Sequence, residues 1–417
     1  LKKVRIFSLG CRLNQYEIQS VSTALENRNY QIIHGDNADI YIVNSCVVTS
    51  KSEAKTRNLI NRAEKDDGPG SRIIVTGCFA RNVKKEGNTV YLTNDYKYLI
   101  PEILENWDKI ESLADLSPSR FHFTPPVNAS TTRVNLKIQD GCDNYCTYCI
   151  IPFVRGNPVS RPFTEIENEF KTLLEAGYRE IVLTGVNIGK YFWEGKGLDH
   201  LVEKLLSLSG AFRLHLSSID PDRVSDNMIS LLKNPKMVKH FHLSLQSGSN
   251  AVLKSMNRNY TREEYLDLTN RIKKQVPDFN FTTDVIVGFP GETDNDHEAT
   301  LELIRETRFS HVHTFRYSPR PMTQAAAMKK QVAEKLKKER SAEIMKTAQD
   351  LKVAFYRKFE GREGIFLGEK KGKGFISGHN EYFLPVYLEG KHELNTFLPI
   401  KLRFSESQKN LSGEVIK

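Results

Sequence analysis

No run of this chain approaches the roughly 18 successive apolar residues that a membrane-spanning helix needs, which excludes a spanning protein. Internal repeats and low-complexity tracts are also absent, which sets aside a solenoid or a disordered array. The opening Leu1-Lys2-Lys3 passes straight into a strand-like run without an apolar signal region, so a cytoplasmic location is the expectation. Cysteine is sparse, at six in 417 residues. An even count admits three disulfides, but in a long chain of cytosolic character metal binding or catalysis is the better use of thiols.

What is present describes a globular protein. Apolar residues make up 39% and charged residues 27% of the chain, outside the disordered range. Its length of 417 residues exceeds one ordinary core and suggests about three units. The net charge of +9 favours a polyanionic partner such as nucleic acid, although charge alone is a weak signal.

The expected fold class is α/β. Strand-like runs at Val4 to Leu9, Asp39 to Val43, Arg72 to Val75 and Val90 to Leu92 are separated by helical stretches at Asn14 to Glu26 and Ser50 to Asp66. That alternation predicts a doubly wound parallel-sheet domain over residues 1–116. Residues 117–132, rich in Ser, Thr and Pro, read as a linker. Six further strand–helix units follow, with strands at Val134 to Ile138, Glu180 to Leu183, Arg213 to Leu216, His240 to Leu245, Phe281 to Val287 and Val312 to Tyr317. Six units fall short of a closed eightfold barrel, so residues 133–352 are expected to form an open, partial (β/α)6 barrel. A charged helix over Lys329 to Tyr356 leads into Gly-punctuated strands, which predict a small antiparallel β-barrel over 353–417.

The sharpest chemical signal is Asp140-Gly141-Cys142-Asp143-Asn144-Tyr145-Cys146-Thr147-Tyr148-Cys149. Three thiols at these spacings can wrap three corners of a cubane cluster and leave one iron open to a substrate. The loop follows the first barrel strand, at the mouth where such folds place their chemistry. A structural zinc would want a fourth ligand, and no further Cys or His lies nearby. The remaining cysteines, Cys11, Cys46 and Cys78, each follow a predicted parallel strand. Strand ends of one sheet share a crevice, so three distant residues can converge on a second cluster, whereas buried free thiols are the plain alternative. Gly10 and Gly77 would let the backbone turn tightly beside a bulky ligand.

With these motifs in place, the chain resembles the radical S-adenosylmethionine (SAM) methylthiotransferases over essentially its full length. The Cys-x₃-Cys-x₂-Cys motif is shared by the whole radical SAM superfamily, and the preceding three-cysteine domain and a terminal barrel resembling a TRAM domain narrow the likeness. Ser8-Leu9-Gly10-Cys11-Arg12-Leu13-Asn14-Gln15-Tyr16-Glu17, and Gln139 to Cys142 running into Cys149-Ile150-Ile151-Pro152, resemble most the branch that modifies N6-threonylcarbamoyladenosine beside the tRNA anticodon. Sister branches act on isopentenyladenosine or on a ribosomal-protein aspartate. A rival of another class is a non-catalytic RNA-binding iron–sulfur protein, for which two clusters each short of a protein ligand would be poor staples.

The resemblance implies two 4Fe–4S clusters, on Cys142, Cys146 and Cys149 and on Cys11, Cys46 and Cys78, with SAM on the open iron of the first. It implies a 5′-deoxyadenosyl radical that takes hydrogen from C2 of the adenine, sulfur delivered from the second cluster, and a methyl group from a second SAM. The partners implied are tRNA, SAM, an electron donor and a sulfur source, with no membrane.

For SAM the residues to watch are Tyr148, Gly185, Asn187, Ser218, Gln246, Arg258 and Val287, with Ser247 and Asp284 beside them. Gly185, Asn187, Ser218, Gln246, Ser247 and Val287 lie at or near strand ends, and Tyr148 lies in the cysteine loop. Arg258 resembles a family arginine or is a solvated surface residue, and Asp284 bonds the ribose or a neighbouring strand. Arg155, Arg161 and the hairpin Lys370-Lys371-Gly372-Lys373 are expected as phosphate contacts, with Phe366, Phe375 and Tyr382 as base-stacking rings or barrel core. His311 and His313 read as structural. Met322 stands where the resemblance leads one to expect glycine.

Overall fold

Short β-branched runs such as Ile40 to Val43 and Ile73 to Val75 suit a sheet buried on both faces, and that is how they are used. The computed structural model describes residues 1–35, 37–65, 71–107, 117–128 and 131–416. Asp66 as a helix end, the boundary at 116 and residue 417 lie outside the described residues. Six strands form the first sheet: β1 (Lys3–Ser8), β2 (Gln31–Ile33), β3 (Ile40–Ser45), β4 (Arg72–Gly77), β5 (Lys84–Glu86) and β6 (Thr89–Leu92). Their spatial order is β2-β1-β3-β4-β6-β5, parallel throughout except for the edge strand β5.

Helix α1 (Arg12–Glu26) buries Tyr16, Val21 and Leu25 on one face of this sheet, beside Ile42 and Ile74. Helix α2 (Ser50–Lys65) covers the other face with Ile60 and Ala63, against Tyr41, Val43 and Val75. The sheet is therefore doubly wound. Strands β2 and β5 were not foreseen, because three-residue edge segments borrow their conformation from a neighbour and carry little pattern of their own. Among residues 117–128 no helix or strand forms, yet Phe123 is buried against Tyr16, with ring centroids 5.9 Å apart.

The second unit has six parallel strands: β7 (Arg133–Lys137), β8 (Glu180–Thr184), β9 (Arg213–Leu216), β10 (His240–His242), β11 (Asn280–Val287) and β12 (His311–Arg316). They form two three-stranded sheets, β9-β8-β7 and β10-β11-β12, joined by bridges between Leu214 and Met237 and between Ile219 and Leu243. This is an open, six-stranded partial barrel. Alternation is strict: Leu136, Leu183, Leu214, Phe241 and Val285 pack outward into the main core, so the intervening residues line the lumen. The lumen is polar.

A long helix, Glu334–Arg357, follows. It starts later than the pattern predicts, since the Lys330 carbonyl accepts a 2.7 Å hydrogen bond from Gly291 N–H and holds residues 329–333 out of the helix. Strands β13 (Glu363–Lys371), β14 (Phe375–His379), β15 (Pro385–Glu389), β16 (Phe397–Ser405) and β17 (Asn410–Val415) then close a five-stranded barrel. Four seams are antiparallel and the fifth, β15 with β17, is parallel. This barrel caps the floor of the larger one. Phe383 stands beneath the lumen with its ring 4.5 Å from that of His215 and 4.8 Å from that of His240. Among the described residues no helix is long and apolar enough to cross a membrane.

Candidate active site

The cysteine loop leaves β7 through a turn that only glycine can make. Gly141 has φ +75°, and a Cβ there would lie 2.0 Å from the Asn157 carbonyl oxygen. Cys142 N–H then donates to the Gly156 carbonyl at 3.0 Å, and Thr147 N–H to that of Met256 at 3.1 Å, which pins both ends of the loop. Asn144 N–H donates to Cys142 Sγ at 3.5 Å and Arg258 Nη1 to Cys146 Sγ at 3.2 Å. Burial pushes the Cys142 thiol up and the Cys149 thiol to about 12, and the neighbouring cysteines add to both shifts. Three mutually interacting thiols, with amide and guanidinium donors already aimed at two sulfurs, fit an iron–sulfur cluster.

Asp220 organises the ground beside this loop. Its Oδ1 accepts from Arg258 Nη2 at 2.5 Å, and its Oδ2 from Asn144 Nδ2 at 3.1 Å and Asn187 Nδ2 at 2.9 Å. That leaves Asn144 Oδ1 and Asn187 Oδ1 buried and without partners. Two orphaned acceptors beside the cysteines suit the ammonium of an amino acid group, as SAM carries.

The other three cysteines close the ends of adjacent strands. Cys11, Cys46 and Cys78 follow β1, β3 and β4, which are neighbours in the sheet. Gly10, at φ +109°, and Gly77, at φ +92°, make the required turns; a Cβ on Gly77 would meet the Ser45 carbonyl oxygen at 2.5 Å. Burial raises the thiols of Cys46 and Cys78, and Cys11 reinforces both. Here too a three-thiol donor set fits a cluster with one open iron.

A buried ionic seam joins the two units beside both sets of thiols. Glu17 on α1 accepts from Lys97 Nζ at 2.5 Å, Lys137 Nζ at 2.7 Å and Arg155 Nη1 at 2.9 Å. Asp140 accepts from Arg155 at 3.0 Å and pairs with Lys137 at 2.6 Å. Burial alone would raise the Glu17 carboxyl, but Arg155, Lys137 and Lys97 outweigh it and hold the group well below the usual carboxylate range. Arg161 pairs with Glu169 at 2.5 Å, and Glu169 accepts from Tyr16 Oη at 3.0 Å. Arg155 and Arg161 are therefore buried struts rather than phosphate contacts, a correction that follows from full pairing with carboxylates.

Between the units lies a cleft of about 210 Å³, lined on one side by Val48 and Thr49 and on the other by Tyr148, Cys149, Gln246, Asp284 and Arg316. Val47 and Cys78 of the first unit and Ile150 of the second belong to one apolar cluster beside this cleft. A second tether crosses beside the cleft, from Ser50 Oγ to Ser318 Oγ at 2.7 Å and from Arg320 to Glu53. Met322, in a left-handed conformation at φ +71°, accepts at its sulfur from Arg81 Nη1 at 3.4 Å.

The expected SAM residues divide. Tyr148 and Gln246 line the cleft, and Arg258 and Asn187 meet at Asp220. Gly185 makes a close approach: a Cβ would stand 2.8 Å from the Gln139 carbonyl oxygen. Ser218 is exposed beyond β9, Ser247 is tied to Thr300 at 3.3 Å, and the Val287 side chain lies in the main core. Phe366 is core and Tyr382 packs beside that core, while Phe375 is half-buried against the exposed Tyr387, with centroids 5.7 Å apart.

Sequence reasoning passed over His215, His240 and His242 of the lumen and read His313 as structural. His215 and His240 share a 2.9 Å hydrogen bond, and His242, Asp284 and His313 lie close together above them. Burial pushes His215 down to about 4, against the pull of Glu180, and His240 further below its ordinary value. The alternations His240-Phe241-His242 and His311-Val312-His313 were the available signal, because residues two apart on a strand share a face.

Comparison with known proteins adds relatives. Residues 136–304 match the radical SAM superfamily, and residues 3–95 match an uncharacterised protein family, UPF0004. A threonylcarbamoyladenosine tRNA methylthiotransferase of Thermotoga maritima is 38% identical, across 94% of this chain and 91% of the relative. A protein of the same description from Bacillus subtilis is 35% identical, with the same coverage of 94% and 91%. A tRNA-2-methylthio-N(6)-dimethylallyladenosine synthase of Pelotomaculum thermopropionicum is 34% identical, across 94% of this chain and 93% of the relative. Among solved structures, a radical SAM methyltransferase of Kitasatospora setae superposes with a TM-score of 0.55 at 11% identity, over 78% of this chain and 75% of that one, which bears on the fold alone.

Proposed function

This chain belongs to the radical SAM methylthiotransferases, and on that premise we propose that it converts N6-threonylcarbamoyladenosine in tRNA to its 2-methylthio derivative. The observation that carries the proposal is one cleft between the units, lined by Cys149 on one side and on the other by Val48 and Thr49, which follow Cys46 in the chain. Hydrogen abstraction and sulfur delivery must reach the same carbon, and a single cleft lined by Cys149 and by the segment just after Cys46 suits that requirement.

When bound, the two clusters and SAM supply one-electron reduction, hydrogen abstraction, and the sulfur and methyl groups. The chain's own residues do the holding. Asn144 and Asn187 offer their unpaired Oδ1 atoms to the ammonium of SAM, fixed in place by Asp220. Arg258 neutralises charge at Cys146 and keeps Asp220 oriented. Val48, Tyr148 and Phe315 give the cleft apolar walls that exclude water from a flat base, while Gln246, Asp284 and Arg316 supply the polar contacts.

The exposed Lys370, Lys371 and Lys373, beside Phe375 and Tyr387, are the surface assigned to tRNA backbone and unpaired bases. The reading divides the chain into a sulfur-donating unit (1–116), the SAM-cleaving unit (133–352) and an RNA-gripping barrel (353–417). It requires an external electron donor and sulfur source, and it places the protein in the cytoplasm with its tRNA.

The test is nucleoside mass spectrometry of tRNA incubated anaerobically with reconstituted protein, SAM, reductant and sulfide. The expected product is a 2-methylthio form of N6-threonylcarbamoyladenosine that disappears in Cys142→Ala. Formation of 5′-deoxyadenosine without a modified nucleoside would refute the substrate and leave the radical chemistry standing.

A further inference from the structure

We propose that His242, Asp284 and His313 form a binding site for one divalent transition-metal cation in the barrel lumen, sharing no ligand with either cysteine set. The three side chains project into the lumen from neighbouring strands β10, β11 and β12, and Asp284 lies directly opposite His313 in the register. One ligand atom from each lies within 4.8 Å of the other two. His242 Nε2 stands 3.2 Å from Asp284 Oδ2.

Donor counting shows that this last pair lacks a cation. The Glu180 carboxylate accepts from His215 Nδ1–H at 3.2 Å, so His215 Nε2 bears a lone pair and accepts from His240 Nδ1–H at 2.9 Å. His240 is fully enclosed by His215, the Thr282 hydroxyl and the Phe383 ring, and its hydrogen-bond partners include no carboxylate; it stays neutral. Its Nε2 therefore accepts the Thr282 hydroxyl proton at 2.9 Å. The Thr282 oxygen is then free only to accept, and takes His242 Nδ1–H at 3.0 Å. That leaves His242 Nε2 as a bare lone pair facing a carboxylate oxygen, which repel unless a cation sits between them.

A proton would satisfy two acceptors. His313 adds an imidazole nitrogen within reach of the same point, able to turn a lone pair toward an ion there. Two imidazoles and one carboxylate suit zinc or another first-row divalent ion, and do not suit calcium or magnesium, which prefer all-oxygen shells. The Thr282 bond to His242 Nδ1 matches the outer-shell contact that fixes a metal-ligating histidine. His242 and Asp284 are half-buried and His313 is exposed, so an ion has a way in. Three protein ligands leave a coordination position for water or a substrate oxygen.

The test uses protein with both clusters reconstituted, titrated anaerobically with zinc chloride, freed of excess metal, and analysed for zinc and iron. Zinc K-edge absorption then reads the neighbours. The expected result is about one zinc per chain, with nitrogen and oxygen at about 2.0–2.2 Å and no sulfur at about 2.3 Å. His313→Ala, at an exposed side chain, should lower zinc affinity by more than about tenfold and leave iron content unchanged; Thr282→Val should lower it about ten- to hundredfold. Zinc retained equally by His313→Ala, or bound through sulfur, would overturn the site. So would failure of cluster-loaded wild type to retain zinc, which would assign the cation to a proton between His242 and Asp284. The readout is metal content rather than turnover, so it can fail or succeed independently of the proposed reaction.

Discussion

Glu17→Gln removes one charge from a seam buried away from solvent. Lys97, Lys137 and Arg155 face Glu17 and Asp140 there, three cations against two carboxylates, all buried. The native surplus is one positive charge, and the substitution makes it two. At the observed separations of 2.5–2.9 Å the lost attractions are large in gross terms, but desolvation cancels much of them. Breaking one partner of a buried ion pair costs about 3–5 kcal/mol, and three cations on a single carboxylate place this case at the upper end. Because Glu17 lies in the first unit and Lys137 and Arg155 in the second, the cost should fall on their docking rather than on either core.

Amide hydrogen exchange on protein kept anaerobic reads that directly. Exchange in α1 and β7 should accelerate by about three orders of magnitude for a loss near 4 kcal/mol, while β13 to β17 stay protected. Lys137→Met added to Glu17→Gln restores the charge balance and should recover part of the loss, a coupling that a double-mutant cycle measures. Acceleration below about tenfold, or no coupling with Lys137→Met, would refute the claim that this network holds the units together.

Three further outcomes are expected. Gly141→Ala forces a Cβ against the Asn157 carbonyl from a left-handed backbone, so it should cost reconstituted protein about four iron atoms per chain while the other cluster remains, as iron analysis would show. Replacing Lys370, Lys371 and Lys373 with alanine should weaken tRNA binding and flatten its salt dependence, by roughly 0.7–0.9 in the log–log slope for each phosphate no longer neutralised. His215 is held at about 4 by burial, below its unfolded value of about 6.5, so the unfolded chain binds more protons between those limits and stability must fall as pH falls through that window. From pH 7 to pH 5 the loss is about 2 kcal/mol, seen as a lower urea midpoint that His215→Gln makes less pH-dependent.

Much of this molecule is legible from its sequence because its chemistry sits at strand ends. Cys11, Cys46 and Cys78 each follow an apolar run, and knowing that the runs are parallel brings the thiols together. Arg155 and Arg161 were illegible for the opposite reason. Glu17 lies 138 residues before Arg155, and nothing local distinguishes a buried guanidinium from one reserved for phosphate. The lysine hairpin carries the same kind of charge and is exposed. Phe366 and Tyr387 show the same limit on the barrel: both are strand aromatics, and the pleat decides which is core and which faces solvent. The lumen triad needed strand register as well as alternation, since His242 and His313 lie on different strands with Asp284 between them.

The seam has a consequence for anyone wishing to exchange parts between relatives. A chimaera that grafts a foreign first unit onto this barrel inherits Lys137, Asp140 and Arg155 without assurance of a carboxylate at the Glu17 position or of Asn14, whose Oδ1 accepts from Arg155 Nη2 at 2.7 Å. The first and second units are therefore not interchangeable at the linker. A transplant would have to carry Asn14, Glu17, Tyr16 and Lys97 as a set, and lineages that drift at one of these positions should show matching change at Arg155 or Glu169.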